Sequence, residues 1–217
     1  MKNILVKIVA AVAVLGVAGG CASPKVRVDF PPKFDVGAYA AYGLVQFASS
    51  GPEDLRVMAS QQFMQFLQGA KQGVIVVELG TEQAVLASVG KTRLDLESIR
   101  AIGEKYKINA LIVGGIDVAK EKVNVSLKDN LSGITAQSRV RVTMNAKIFE
   151  TARGATAWTN SRFGTWTMSG ASVDGTGVRS VSVVTDKETK YVSIVGELAS
   201  AVTMDFRPTY EMRKVQK

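Results

Sequence analysis

The chain has 217 residues, 47% of them hydrophobic and 21% charged, with a formal net charge of +8, no histidine and one cysteine. That composition fits a globular domain and not a disordered chain. It excludes a His-based triad, a His general base and a His metal ligand, and it equally excludes an intramolecular disulfide and a Cys-rich zinc site.

Residues 1–7 are a short cationic start carrying Lys2 and Lys7, residues 8–17 are an apolar run broken only by glycine, and Ala18-Gly19-Gly20-Cys21 follows. Charge, a short apolar stretch and then small residues is the pattern of a signal peptide. A transmembrane helix needs about 20 apolar residues. Residues 8–20 fall short of that, and Ser23-Pro24-Lys25 closes the run. Ala18-Gly19-Gly20-Cys21 resembles the bacterial lipobox, whose commonest form has leucine where Ala18 stands. The resemblance implies cleavage between Gly20 and Cys21, alkylation of the Cys21 thiol and acylation of the new α-amine. One acyl chain anchors only marginally, whereas two or more hold firmly. By resemblance to sorting patterns, Ala22 in place of Asp implies the outer membrane, with the domain on its periplasmic face.

The expected organisation is therefore a signal peptide over 1–20, a lipidated Cys21 with a short tether over 21–37, and a periplasmic domain over 38–217. Pro24, Pro31 and Pro32 and the weak periodicity of residues 22–35 read as tether. Extended, it spans at most about 50 Å. Removing Lys2 and Lys7 with the signal peptide, and no acid, leaves +6 from the +8. Such a surface suits anionic headgroups or anionic polymers. No Lys/Arg cluster with interleaved aromatics appears, which argues against nucleic acid.

Along the domain, residues 42–47 (YGLVQF) read as a buried strand. Ser50-Gly51-Pro52-Glu53 reads as a capping box, opening a helix in which Leu55, Met58, Ala59, Phe63, Phe66 and Leu67 keep a 3.6 period. Residues 74–79 (VIVVEL), continuous and β-branched, predict a central strand. Residues 81–89 predict a short helix stopped by Gly90. Residues 95–106 predict a longer one with Leu96, Ile99, Ile102 and Tyr106 on one face. Residues 110–114 (ALIVG) read as a buried strand that continues through 118–127, before turn residues at 129–133. Residues 139–149 alternate, with Val140, Val142, Met144, Ala146 and Ile148 on one face and Arg139, Arg141, Thr143, Asn145 and Lys147 on the other. Residues 155–168 are the next strand, with Trp158, Phe163 and Trp166. Thr185-Asp186-Lys187-Glu188 predicts a second capping box and a helix carrying Tyr191, Ile194, Val195, Leu198 and Val202, ended before Pro208. The fold class is α/β: a single domain with a mixed β-sheet flanked by helices, in the order β-α-β-α-α-β-β-β-α.

Candidate chemistry is sparse. Gly170 and Gly175 have P-loop spacing, but Thr176-Gly177 stand where Lys and Ser/Thr belong, so residues 170–179 read as a loop or hairpin tip. Gly90-Lys91-Thr92 has the right ending without the first glycine. Gly114-Gly115 inside a strand predicts a bulge or a close packing contact. Asp95 with Glu97, or Asp117 with Glu121, have the spacing of acid pairs but read as solvated faces. Ser88-Val89-Gly90-Lys91 is the one Ser-x-x-Lys match and lacks the accompanying motifs of that chemistry. Trp158 and Trp166 share strand parity and read as core. No cofactor, no metal site and no catalytic residue is expected.

Residues 95–115 (DLESIRAIGEKYKINALIVGG) resemble the helix, G-x-D-A-I-I-x-G and outgoing strand of CsgG-like, LpoB-like and PelC-like periplasmic domains, lipoproteins with a TolB-N-like α/β fold. Residues 143–150 followed by TARGATAW over 151–158 resemble the family's strand and D-x-x-T-G-x-x-x-W step, with Glu150 displaced from the usual acid position. Residues 203–209 (TMDFRPT) resemble the end of its last helix. The resemblance implies a non-enzymatic outer-membrane lipoprotein that serves as an envelope assembly or structural component and self-associates. Its implied partners are the membrane through the lipid anchor, further copies of itself, and other envelope proteins or an exported polymer. The alternative is an accessory or pore component of a CsgG-like secretion apparatus. A pore of that type inserts long hairpins, and the expected loops at 128–137 and 169–177 are too short for them. The short tether fits the compact, ring-forming PelC type better than the long-tethered LpoB type.

Overall fold

The computed structural model describes residues 25–120, 124–127, 133–174, 177–183 and 187–214, with side chains over 25–119, 139–168 and 190–213. The expected signal peptide, Gly20, Cys21, Glu121, most of the turn at 129–133 and the first half of the second capping box lie outside these residues.

The described residues form two compact units, 32–207 and the pairing of 25–31 with 208–214. In the smaller, β1 (Lys25–Phe30) pairs antiparallel with β10 (Thr209–Lys214), Phe30 opposite Thr209 and Lys25 opposite Lys214. Six residues of the expected tether are thus a strand. Its sequence KVRVDF alternates with period two, and Pro24 and Pro31-Pro32 flank it without interrupting it. The Arg27 guanidinium lies 4.4 Å above the Tyr210 ring and that of Arg213 5.4 Å from the Phe30 ring, so each cation covers an aromatic across the ladder.

The larger unit is built on a mixed sheet. In chain order it comprises β2 (Ala41–Val45), β3 (Ala48–Ser49), α1 (Glu53–Ala70), β4 (Ile75–Gly80), α2 (Glu82–Ser88), α3 (Leu96–Tyr106), β5 (Ala110–Lys120), β6 (Asn124–Leu127), β7 (Gly133–Glu150), β8 (Ala155–Asp174), β9 (Gly177–Val183) and α4 (Lys187–Val202). The strand order is β4-β2-β5-β7-β8-β9, with β3 added on β5 and β6 on β7. β2 runs parallel to both β4 and β5, and the β5-β7-β8-β9 pairings are antiparallel. The expected α/β class with a mixed sheet is what the chain adopts, with the short strands β3, β6 and β9 added.

Two cores cover the sheet. On one face α1 and α4 bury Tyr42, Leu44, Ile112, Val142, Met144 and Ile148 against Phe63, Ile194 and Leu198. On the other, α2 and α3 bury Val45, Leu111 and Ile108 beneath Val85, Leu86, Ile99 and Ile102. The first core holds an aromatic cluster, with Trp158 and Phe206 centroids 4.7 Å apart and Phe47 and Phe63 5.3 Å apart. Gly114 is a packing contact as expected: a Cβ there would lie 2.6 Å from the Phe47 ring and 2.7 Å from the Asn145 carbonyl oxygen.

Local signals locate the helix ends. The Thr81 hydroxyl caps α2, and Gly90 just beyond it takes φ +67°. Asp95 and Ser98 form a reciprocal capping box on α3. The bond from the Ser98 backbone N–H, with Arg93 alongside, holds the Asp95 carboxyl below its ordinary range. The capping box expected at Ser50 is not formed. α1 starts after Pro52 without a side-chain cap, and the Ser50 Oγ instead accepts from the Val118 backbone N–H at 2.9 Å. The helix starts at Glu53 with Pro52 at its N-cap, two residues beyond Ser50, and the Ser50 hydroxyl closes the β3–β5 junction instead.

Three strand expectations are corrected. Residues 74–79, read as central, form the edge strand β4, with Ile75 60% and Val77 36% exposed. The strand expected to run through 118–127 ends at Lys120, and β6 is separate. The segments 128–137 and 169–177, read as loops, supply strand at Gly133–Gln137 and Ser169–Asp174, continuing β7 and β8.

Tyr42 shows what this burial does to chemistry. It is fully buried and its hydroxyl donates to the Val36 carbonyl at 2.8 Å, and burial pushes its pKa well above the ordinary 10. A raised pKa means the neutral phenol is favoured on folding. That stability is complete below the unfolded value and is lost as pH rises through and beyond 10. We expect the phenolate absorbance of Tyr42 to appear only together with the loss of near-UV circular dichroism. Titration of all five tyrosines with the fold intact would contradict this.

Candidate functional site

Where the sheet passes from β5 to β7 and β8, helices among the described residues cover only one of its faces. Strand alternation dictates what the two faces carry. Val140, Val142, Met144, Ala146 and Ile148 on β7, with Trp158 and Trp166 on β8, turn toward α1 and α4. The opposite face presents Arg139 beside Thr167, Arg141 beside Thr165, Thr143 beside Phe163, Asn145 beside Ser161 and Lys147 beside Thr159. Arg139, Arg141, Lys147, Thr159, Ser161, Thr165 and Thr167 are exposed, as is Asp117 on the adjacent β5.

Phe163 is the unusual member, 63% exposed in the middle of a polar face. The Arg141 guanidinium sits 4.1 Å from its ring centroid, a cation–π contact that stiffens both side chains. Its exposure was readable: the intervals to Trp158 and Trp166 are odd, so it must face away from both. The arrangement is a basic surface with hydroxyls and one aromatic held under a guanidinium.

The other sequence candidates have structural roles. Asp95 caps α3, and Glu97 pairs with Lys91 at 2.7 Å. Ser88 Oγ donates to the Val85 carbonyl at 2.7 Å and lies 3.0 Å from the Tyr106 hydroxyl, while Lys91 turns to Glu97. Ser88 and Lys91 are therefore not brought together as nucleophile and base. Gly170–Asp174 and Gly177–Arg179, from the glycine-rich stretch, lie in strands β8 and β9, as a hairpin reading requires. Asp205 is held among Trp158 Nε1 at 3.2 Å, Asn160 Nδ2 at 3.4 Å and Lys33 Nζ at 3.7 Å, which ties the end of α4 to β8. A cavity of about 320 Å³ at the carboxyl ends of β2 and β4 is lined by Gln46, Ser60, Gln61 and Glu78 with Leu44, Val57 and Gly80. Its Ser60 hydroxyl is engaged by the Phe47 N–H at 2.9 Å and the Arg56 carbonyl at 2.7 Å. Among the described residues no three Cys, Asp or Glu side chains group to hold a metal ion, and no helix is long and apolar enough to cross a membrane.

No protein-family model and no curated protein sequence matches the chain. Solved structures similar to it include the PelC dodecamer from Paraburkholderia phytofirmans (13% identity, 83% of this chain and 98% of that one, TM-score 0.40). A minor lipoprotein from Acinetobacter baumannii is similar at 12% identity over 76% of this chain and 91% of that one, TM-score 0.36. The LpoB C-terminal domain from Escherichia coli is similar at 9% identity over 58% and 82%, TM-score 0.35. At these identities and TM-scores the functional reading rests on the chain's own residues.

Proposed function

We propose that this chain is a non-enzymatic component of the bacterial envelope, anchored through lipidated Cys21 in the outer membrane and acting in assembly by self-association and contact with neighbours. The observation that carries the contact reading is the uncovered β7–β8 face. A sheet buried on both faces toward β2 gives way there to an exposed surface of Arg139, Arg141 and Lys147 around a fixed aromatic. The anchor reading rests on the apolar run, Ala18-Gly19-Gly20 and the single cysteine that follows them.

The test is reversal of charge on that face. The chain with Arg139, Arg141 and Lys147 all changed to Glu is expected to keep the wild-type circular dichroism, because these side chains point away from the core. It is expected to be monomeric by light scattering in detergent, where the wild-type chain is expected to be oligomeric. A wild-type lipidated chain that stays strictly monomeric at high concentration overturns self-association, and an unchanged oligomer in the reversed chain removes the basic face from it.

A further inference from the structure

The edge strand β4 has the sequence of an interior one. Ile75-Val76-Val77 is a continuous β-branched run, and no lysine or proline blunts the edge. On its inner side β4 pairs with β2, and among the described residues no strand pairs with its outer side. The opposite side of the same sheet is also open. The outer side of β8 meets β9 only from Ser169 onward, so Ala155–Met168 has β7 on one side and, among the described residues, no strand on the other.

These two edges are complementary to each other. β4 runs parallel to β2, which runs parallel to β5, and two antiparallel steps through β7 bring β8 back to the same direction. A copy displaced along the sheet therefore sets β8 beside β4 as a parallel pair. Pairing register fixes which side chains share a face. Ile75 and Val77 lie on the α2–α3 side with Ala41 and Gly43, and Phe163 lies on that same side of the sheet. Glu78 lies on the α1–α4 side, as does Arg162. Joining the edges places the exposed Phe163 of one copy against Ile75 and Val77 of the next on one face, and Arg162 beside Glu78 on the other.

We propose that the outer edge of β4 takes the outer edge of β8 from a second copy of this chain, extending one sheet from copy to copy. The contact is heterologous, since each copy uses a different edge on each side, and repetition closes into a ring or continues as a filament. It satisfies backbone groups that an edge leaves unpaired and covers three exposed apolar side chains in one step. The proposal rests on the self-association reading above and specifies its geometry.

Cysteine pairs test it in the full chain in its membranes. Val77→Cys combined with Ser161→Cys, Phe163→Cys or Thr165→Cys covers three neighbouring registers on the correct face. Within one copy these positions are separated by four strand spacings, about 19 Å, far beyond the reach of a disulfide. Oxidation is expected to give a ladder of dimers, trimers and higher species from at least one pair and not from the single variants, which also read out any contribution of Cys21. Val77→Lys is expected to reduce the oligomer to monomer by light scattering with unchanged circular dichroism. A disulfide-linked dimer from Phe163→Cys alone means a face-to-face contact and overturns the edge pairing. An oligomer that survives Val77→Lys, with no ladder from any pair, overturns the edge assignment while leaving self-association standing. A monomeric wild type removes both.

Discussion

The Cys21→Ser chain is expected to incorporate no palmitate and to accumulate as a precursor that still carries residues 1–20. The thiol is the alkylation site, and serine offers an oxygen that does not replace it. Cys21 is the only cysteine in the chain, so no other sulfur takes over. The consequence is close to all-or-none because the anchor is the chain's link to the bilayer in this reading. Each buried methylene is worth about 0.8 kcal/mol, so loss of two or three acyl chains removes the whole binding energy. Radiolabelled palmitate, the mobility of the precursor and its fractionation between membrane and soluble pools check this together. Normal labelling of the variant ends the lipoprotein reading.

Leu198→Ala is expected to lower stability by about 2–5 kcal/mol, as deletion of a buried leucine side chain in a well-packed core does. Leu198 is 3% exposed on α4 and belongs to the core that α1 and α4 close over β7. Its neighbours on that helix, Ile194, Val195 and Val202, are equally buried, so the site has little room to collapse into the space. Against a domain stability of roughly 5–15 kcal/mol, a loss of this size shifts the melting transition by many degrees. Thermal and urea unfolding followed by circular dichroism measure it. An unchanged melting temperature means α4 does not pack where the structure puts it.

Several elements were legible because the information that forms them is local. The helix at Leu96–Tyr106 follows from Asp95 at its N-cap and from apolar residues every three or four positions. Thr81 and Gly90 bracket the next helix toward the N-terminus by a hydroxyl cap and a residue free to take positive φ. The two faces of residues 139–149 follow from the pleat alone, which is why Arg139, Arg141 and Lys147 were assigned to the surface correctly. Phe163 belongs to the same class, since its parity against Trp158 and Trp166 is sequence information.

By itself, then, the sequence determined the helices, the alternating strands, the α/β class and the absence of histidine or disulfide chemistry. Lateral neighbours were decided only in the tertiary structure. A continuous apolar strand predicts covered faces and a strand on each side; chain topology put VIVVEL at the edge instead, with Ile75 and Val77 exposed. The pairing of Lys25–Phe30 with Thr209–Lys214 joins the two ends of the chain, and no local pattern specifies so distant a partner. Ser50 illustrates the same limit at one atom. Its hydroxyl suits both a helix N-terminus and the amide of Val118, and the choice fell to the contact that closes the β3–β5 junction. Where a group has two satisfactory partners, the sequence offers both and the packing of distant segments selects one.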